Sequence, residues 1–117
     1  MRFIIVAGGR WFSDYKHLES VLLGMLQDDD VIVSGCASGA DSMAIDFAQQ
    51  YGWKYETFPA RWAVDGKYKA GFMRNSRMVA YSQMLIAFWD GQSGGTRDVI
   101  FKAIEAKLEV HVYHVKY

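Results

Sequence analysis

Short apolar runs alternate with amphipathic segments along the whole chain. The runs at 3–7, 31–33 and 84–89 are apolar without interruption, which is typical of strands buried on both faces of a parallel sheet. Two further segments, at 54–58 and 110–115, complete the set of predicted strands. The pattern therefore predicts five strands.

Segments with helical spacing separate these strands. In the first, Leu18, Leu22 and Met25 share one face, and Ser13 or Asp14 can cap the start. Further helices are predicted over 43–51, which Gly52 ends, over 72–82 and over 96–108. Residues 60–71 show no clear period, so we predict a long functional loop containing Arg61, Trp62, Lys67, Tyr68 and Lys69.

This alternation predicts the fold class. Strands that alternate with helices form a parallel sheet with right-handed crossovers. We expect an α/β protein with a single Rossmann-like three-layer domain over 1–117, in which a five-stranded, mostly parallel sheet carries helices on both faces. Such sheets bind ligands beyond the carboxyl ends of their strands, where the strand order reverses.

Composition narrows the function classes. With 51% hydrophobic and 22% charged residues, the 117-residue chain has the profile of a soluble globule. Thirteen basic residues balance thirteen acidic ones, so the overall charge favours neither duplex DNA nor an anionic membrane as partner. The single Cys36 excludes an internal disulfide, and the run at 3–7 is too short for a signal peptide or a membrane span. We expect a cytoplasmic protein.

Three glycine-containing loops, at 8–9, 35–39 and 91–95, follow predicted strands and should meet at one edge of the sheet. Such loops let backbone N–H groups approach a phosphate, although tight turns and close helix packing need glycine too. Seven of the thirteen basic residues lie in or beside this edge, which predicts a positive rim of Arg10, Arg61, Lys67, Lys69, Arg74, Arg77 and Arg97.

The candidate site residues follow from these loops. Asp41 can cap a helix or bind ribose, and Asp90 can bind ribose or form an Asx turn. Trp11, Trp62 and Trp89 are candidates for stacking on a base, with core packing as the alternative. No metal site is expected, because His111 and His114 fall on opposite faces of a strand. The candidate ligand-binding and phosphate-binding residues are Gly8, Gly9, Arg10, Ser34, Gly35, Ser38, Gly39, Asp41, Arg74, Asn75, Asp90, Gly91, Ser93, Gly94, Gly95 and Thr96.

Several motifs together resemble a known family. The stretch 33–41, Val-Ser-Gly-Cys-Ala-Ser-Gly-Ala-Asp, resembles the Ser-Gly-Gly-Ala-x-Gly-x-Asp signature of the SLOG superfamily, which includes the DprA, LOG and YspA-like proteins. Gly8-Gly9-Arg10, the segment 58–62, Arg74-Asn75 and the segment 88–96 extend the likeness to the YspA-like group over nearly the whole chain.

The resemblance implies a Rossmann-like protein that binds a nucleotide or a nucleotide-derived ligand, such as ADP-ribose, an NAD-related molecule or a nucleoside phosphate. A sensor or ligand-binding role is the first hypothesis, and no other cofactor is implied. Superfamily members also pair through helices, so the resemblance allows a homo-oligomer.

The resemblance also offers two alternatives. LOG-type members hydrolyse the N-glycosidic bond of nucleoside monophosphates with an arginine, matched by Arg74, and a glutamate, whose position is Val99. The nearest carboxylate is Asp98, one residue early and rotated by about 100° on a helix. Arg74 and Asp98 are therefore the candidate catalytic residues for this alternative, with Asp90 as the other possible carboxylate. The second alternative is a DprA-like protein that binds single-stranded nucleic acid. The aromatic residues of the loops favour this alternative. The zero net charge argues against it, so nucleic acid is an unlikely partner.

Overall fold

The computed structural model describes residues 1–67 and 69–116. Strands and helices alternate along the chain. The elements are β1 (Phe3–Gly8), α1 (Tyr15–Met25), β2 (Val31–Ser34), α2 (Ala40–Tyr51), β3 (Lys54–Thr57), α3 (Trp62–Asp65), α4 (Ala70–Tyr81), β4 (Met84–Trp89), α5 (Gly94–Glu105) and β5 (Glu109–His114).

The five strands form one sheet in the order β3-β2-β1-β4-β5, and all neighbours are parallel. At the centre, Ile5 pairs with Val33 on one side and with Leu85 on the other. The chain first builds outward from β1 to β3 and then crosses to β4, so the strand order reverses between β1 and β4. The predicted α/β fold is confirmed, and the carboxyl ends of β1 and β4 mark the expected ligand edge.

Both faces of the sheet are covered, which explains the uninterrupted apolar runs. In β1, Ile4 and Val6 pack in a cluster with Leu22 of α1 and Phe47 of α2. The alternate residue Ile5 packs in a second cluster with residues of α4 and α5. Because successive side chains of a strand point to opposite faces, this arrangement requires apolar residues at every position of a central strand.

The helix boundaries differ from the sequence prediction at several points. Helix α2 begins at Ala40 rather than at 43, and α5 ends at Glu105 rather than at 108. The predicted loop 60–71 contains the short helix α3, whose residues are largely exposed and therefore carry no apolar period. Helices α4 and α5 each begin two residues earlier than predicted, at Ala70 and Gly94. Neither start has a side-chain cap to reveal it in the sequence. Tyr68 of the predicted loop lies outside the described residues.

Candidate ligand-binding cleft

A cleft opens at the carboxyl edge of the sheet, where the loops after β1, β2 and β4 meet. It has an inner lobe of about 270 Å³ and an outer lobe of about 410 Å³. The two lobes are continuous, because six residues line both of them: Arg10, Ala37, Arg74, Asn75, Gly94 and Gly95. The structure thus brings the three predicted glycine loops together at one cavity.

The inner lobe lies against the start of α5 and the second residue of α2. Helix α1 is capped by Asp14, whose side chain accepts a hydrogen bond from the His17 N–H. In contrast, Gly39 and Ser93 precede α2 and α5 without a side-chain cap. The first N–H groups of a helix need acceptors and carry partial positive charge. Of these two helix starts, that of α5 lines the cleft through Ser93, Gly94 and Gly95, whereas Gly39 and Ala40 pack against the loop after β1. The N–H groups at the start of α5 can therefore donate to an anion in the cleft.

The glycines of the cleft fall into two groups. A Cβ on Gly8 would lie 2.7 Å from the Ala40 Cβ, and one on Gly39 would lie 2.2 Å from the Gly9 carbonyl oxygen. These two glycines are required by close packing of the β1 loop against α2. Gly94 and Gly95 are different, because a Cβ there would meet no protein atom within 4 Å. Their missing side chains leave room in the cleft itself.

Arg74 crosses from α4 to the loop after β2. Its Nη1 donates to the Gly35 carbonyl oxygen, and its Nε donates to Asn75 Oδ1 at 3.0 Å. Among the described residues Nη2 has no hydrogen-bond partner, so it can donate to a ligand. Arg74 lines both lobes, which agrees with its place among the predicted site residues.

Asp41 is a buried carboxyl group that lines the inner lobe. Its Oδ2 accepts a hydrogen bond from the Ala37 N–H at 3.3 Å, so the side chain braces the loop before α2 rather than capping the helix at its first residue. Burial raises the pKa of Asp41 to about 7, although the Arg74 charge and the Ala37 hydrogen bond act against this shift. Asp41 therefore gains or loses its proton near neutral pH.

Asp98 contacts α4 instead of the cleft. Its Oδ2 accepts from Asn75 Nδ2 at 3.0 Å and pairs with Lys102 Nζ at 2.8 Å. It lines a separate depression outside both lobes. Asn75, in contrast, lines the cleft and also donates to the Gly95 carbonyl oxygen at 3.1 Å. The structure thus keeps the two candidate catalytic residues apart, with Arg74 in the cleft and Asp98 beside it.

Two of the three candidate tryptophans line the cleft. Trp11 lines the inner lobe, Trp62 lines the outer lobe, and both are mostly exposed. Trp89 packs against the α4 and α5 side of the core, and its indole N–H donates to the Ser93 carbonyl oxygen at 3.1 Å. Trp11 and Trp62 are thus placed to meet a flat ring, whereas Trp89 holds the loop before α5.

The remaining candidates are mostly structural. Asp90 Oδ1 accepts from the Ser93 N–H at 2.8 Å and the Gln92 N–H at 2.9 Å, which forms an Asx turn and lowers the pKa of Asp90. Gly91, with φ of 85°, belongs to the same turn. Ser34 is fully buried and donates to the Asp41 carbonyl oxygen at 2.9 Å. Exposed Ser38 lines neither lobe, whereas Ser93 and Thr96 line the inner one.

The positive rim is smaller than the sequence predicts. Arg10, Lys67 and Arg74 line the cleft. Arg61 and Arg77 instead pair with Asp65, at 3.5 Å and 3.3 Å. Of the other two, Arg97 lies over the Trp89 ring at 6.0 Å, and Lys69 lines neither lobe. Three of the seven predicted cations therefore face the ligand space.

Phe72, which is not among the predicted site residues, lines the outer lobe with Pro59, Ala60 and Gly71. Its position in the sequence, two residues before Arg74 at the start of a helix, could have identified it as a site residue.

Among the described residues no group of three or more His, Cys, Asp or Glu could hold a metal ion. No helix in the described ranges is long and apolar enough to cross a membrane.

The fold and the cleft define a Rossmann-like α/β protein with a ligand edge at its switch point. The model of the YAcAr family, described as the YspA, cpYpsA-related SLOG family, matches residues 2–64. Because this match covers more than half of the sequence, the chain belongs to that family. A comparison with curated proteins gave no match.

One similar solved structure is the X-ray structure of DNA processing protein A (DprA) from Streptococcus pneumoniae. The similarity has a TM-score of 0.84 at 21% sequence identity and covers 99% of this chain. The chain spans 51% of the DprA chain. At this level of identity the similarity supports the fold, which is the Rossmann-like architecture described above.

Proposed function

We propose that the cleft binds a nucleotide or a nucleotide-derived ligand, with its phosphate in the inner lobe and its base in the outer lobe. The observation that carries this proposal is the open space at Gly94 and Gly95. No protein contact requires these two glycines, because a Cβ at either position would meet no protein atom within 4 Å, and alanine favours a helix more than glycine does. A ligand that approaches the backbone does require them.

The charges of the cleft support phosphate as the group that binds there. The uncapped start of α5 supplies N–H donors, and the guanidinium groups of Arg10 and Arg74 supply positive charge. The outer lobe presents the exposed rings of Trp62 and Phe72, which can stack on a base. Membership of the SLOG family agrees with a nucleotide-related ligand. The single exposed Cys36 suits a reducing cytoplasm, where we propose that the protein acts.

The test is a thermal-shift screen with inorganic phosphate, nucleoside monophosphates, ADP-ribose, NAD and cyclic nucleotides, followed by chromatography of each mixture. A ligand at about a hundred times its dissociation constant adds about 2.7 kcal/mol to the free energy of unfolding. In a domain near this size, that gain raises the melting temperature by several degrees. A shift with intact ligand supports the proposal, whereas no shift with any compound contradicts it.

Cys36 provides an independent readout of the same site. It is the single cysteine of the chain, it is exposed, and it lines the outer lobe. A ligand in the outer lobe should therefore slow its reaction with a thiol reagent, at reagent concentrations that leave the fold intact. Unchanged Cys36 reactivity together with a thermal shift would place the ligand outside the outer lobe.

A second candidate function is binding of single-stranded nucleic acid. The similar solved structure is that of a DNA processing protein. In this chain, the exposed rings of Trp11, Trp62 and Phe72 lie beside Arg10 and Lys67 around one cleft. Stacked bases and basic residues are the usual means of binding single strands. This function predicts oligonucleotide binding that weakens steeply with salt, which fluorescence anisotropy can measure.

A further inference from the structure

The inner lobe contains a carboxyl group close to the place proposed for the phosphate. Asp41 is 5% exposed and lines this lobe together with Gly94 and Gly95 at the start of α5. Two negative charges inside one small cavity repel each other more strongly than in water, because the protein screens them less. A bound phosphate and an ionised Asp41 therefore oppose each other unless a proton lies between them.

The fold keeps Asp41 in the lobe. Its Oδ2 accepts a hydrogen bond from the Ala37 N–H at 3.3 Å, and its main-chain carbonyl oxygen accepts one from the buried Ser34 hydroxyl at 2.9 Å. A Cβ on Gly35 would lie 2.9 Å from Oδ2, so the loop after β2 packs closely against the carboxyl group. Asp41 therefore stays beside an anion that enters the lobe.

The charged neighbours of Asp41 do not neutralise it by direct contact. The Arg74 charge acts on Asp41, but the Arg74 guanidinium donates to the Gly35 carbonyl oxygen and to Asn75 Oδ1 instead. Arg10, from the loop after β1, lines the same lobe, and among the described residues neither arginine forms an ion pair with Asp41. Asp41 Oδ1 accepts no hydrogen bond in the described part of the chain, so it can share one with a ligand.

The other elements bring no further charge into the inner lobe. The charged side chains of α5 line a depression outside it: Arg97, Asp98, Lys102 and Glu105. The Cys36 thiol lines the outer lobe, and Asp46 of α2 is exposed. Of the described residues that line the inner lobe, only Arg10, Asp41 and Arg74 are charged. Burial raises the pKa of Asp41 to about 7, so it alone of these three changes its charge near neutral pH.

We propose that Asp41 determines the anion specificity of the inner lobe by sharing one proton with the bound anion, an inference that rests on the proposed phosphate position. The proton lies between Oδ1 and an oxygen of the anion, so one oxygen donates a hydrogen bond and the other accepts it. An anion that carries a proton supplies it, whereas an anion without one must meet a protonated Asp41. Above neutral pH the lobe thus prefers hydrogen phosphate to sulfate, although both are tetrahedral dianions.

The experiment is isothermal titration calorimetry of the full chain with inorganic sulfate and inorganic phosphate at constant ionic strength. Between about pH 7.5 and 9 the dissociation constant of sulfate should rise by more than about tenfold, because each bound sulfate requires the uptake of one proton. Hydrogen phosphate keeps its proton over this range, so its constant should stay within about threefold. Phosphate is also the internal control, since any other group that titrates affects both anions. Titrations in buffers of different ionisation enthalpy should show proton uptake with sulfate alone.

Asp41→Asn tests the residue itself. The amide has nearly the same shape and cannot ionise, so sulfate should bind this variant equally at about pH 7.5 and 9, and the preference for phosphate should disappear. Asp46→Asn removes an exposed carboxylate from the same helix and, as the matched control, should keep the wild-type pH dependence. Circular dichroism checks that both variants are folded, and the comparison of the two anions on the wild type needs no variant.

The outcomes separate this inference from the proposed function. Anion binding whose preference does not change with pH would overturn the shared proton and leave the phosphate position in place. A pH-dependent preference that persists in Asp41→Asn would assign the proton to another group, which also overturns the inference. If neither anion binds to the wild type or to Asp41→Asn at any pH, the phosphate position itself is wrong, and the shared proton with it.

Discussion

The Arg74 side chain donates a hydrogen bond to the Gly35 carbonyl oxygen, and this contact joins α4 to the loop after β2. Gly35 lies so close to the guanidinium that a Cβ there would be 2.5 Å from Nη1, and it would be 2.9 Å from Asp41 Oδ2. Neither neighbour can move freely, because Asp41 is buried and Arg74 is hydrogen-bonded. The glycine is therefore required by the packing of two charged side chains.

We predict that Gly35→Ala lowers the free energy of unfolding by about 1–3 kcal/mol, because the added methyl group overpacks this contact. Gly71→Ala is the matched control. There a Cβ would lie 3.7 Å from Arg74 Nη2, an ordinary contact, and alanine favours the helix. Urea denaturation measures both variants. Equal stability of Gly35→Ala and the wild type would show that Arg74 adjusts without cost.

The second prediction concerns the pH dependence of stability. Burial raises the pKa of Asp41 from 3.8 to about 7, so the folded state holds a proton that the unfolded state has released between these values. The free energy of unfolding should therefore fall as the pH rises from about 4 to about 7, by on the order of 4 kcal/mol at most. Below this range both states are protonated, and above it both are ionised, so the Asp41 contribution is constant there.

Asp41→Asn isolates this contribution. The amide cannot ionise, so the difference in stability between wild type and variant should slope between about pH 4 and 7 and be flat outside this range. Urea denaturation at several pH values gives the difference directly, and contributions of other groups cancel in it. A difference that does not vary with pH would mean that the Asp41 carboxyl titrates at its ordinary pKa in the folded protein.

The sequence predicted the sheet and the ligand edge because both depend on local pattern. Uninterrupted apolar runs require burial on both faces, and glycines at strand ends require a close backbone approach, as Gly8 and Gly39 show. Helix α3 was missed because its four residues bury no apolar face. The packing of Trp89 in the core could have been predicted from the sequence. Strand alternation places Trp89 on the same side of the sheet as Leu85 and Ala87, against α4 and α5.

The partners of long side chains could not be predicted in the same way. Arg77 and Arg61 were placed at the cleft by their position along the chain, but both reach Asp65. Asp98 was considered as a carboxylate for the cleft, but its hydrogen bond with Asn75 and its ion pair with Lys102 hold it beside the cleft, outside both lobes. Such contacts depend on the packing angle of two helices and on rotamers, which a residue pattern does not encode.

The third prediction tests whether the space at Gly94 and Gly95 belongs to a ligand. Gly94→Ala and Gly95→Ala should leave stability unchanged or raise it by up to about 1 kcal/mol, because alanine favours the helix and meets no protein atom. Each should also weaken binding by tenfold or more, since the methyl group occupies the ligand space. The ligand-induced thermal shift measures this loss.

Gly24 provides the matched control for these two variants. It lies within α1, and a Cβ there would also meet nothing within 4 Å. Gly24→Ala should therefore stabilise the protein by a similar amount and leave the ligand-induced shift intact. Normal binding by both Gly94→Ala and Gly95→Ala would contradict the phosphate position that we propose.

The last prediction separates ligand binding from N-glycosidic hydrolysis. Asp98 pairs with Lys102 on a partly exposed surface, so Asp98→Asn should cost about 0.2–1 kcal/mol of stability. Because Asp98 lies outside both lobes, the variant should keep the wild-type thermal shift, whereas Arg74→Ala should lose it. Chromatography of nucleoside monophosphate mixtures should recover intact ligand from the wild type and from Asp98→Asn. Free base from the wild type that disappears in Asp98→Asn would instead assign hydrolysis to the protein and a catalytic role to Asp98, which would then have to reach the cleft by a movement of α5.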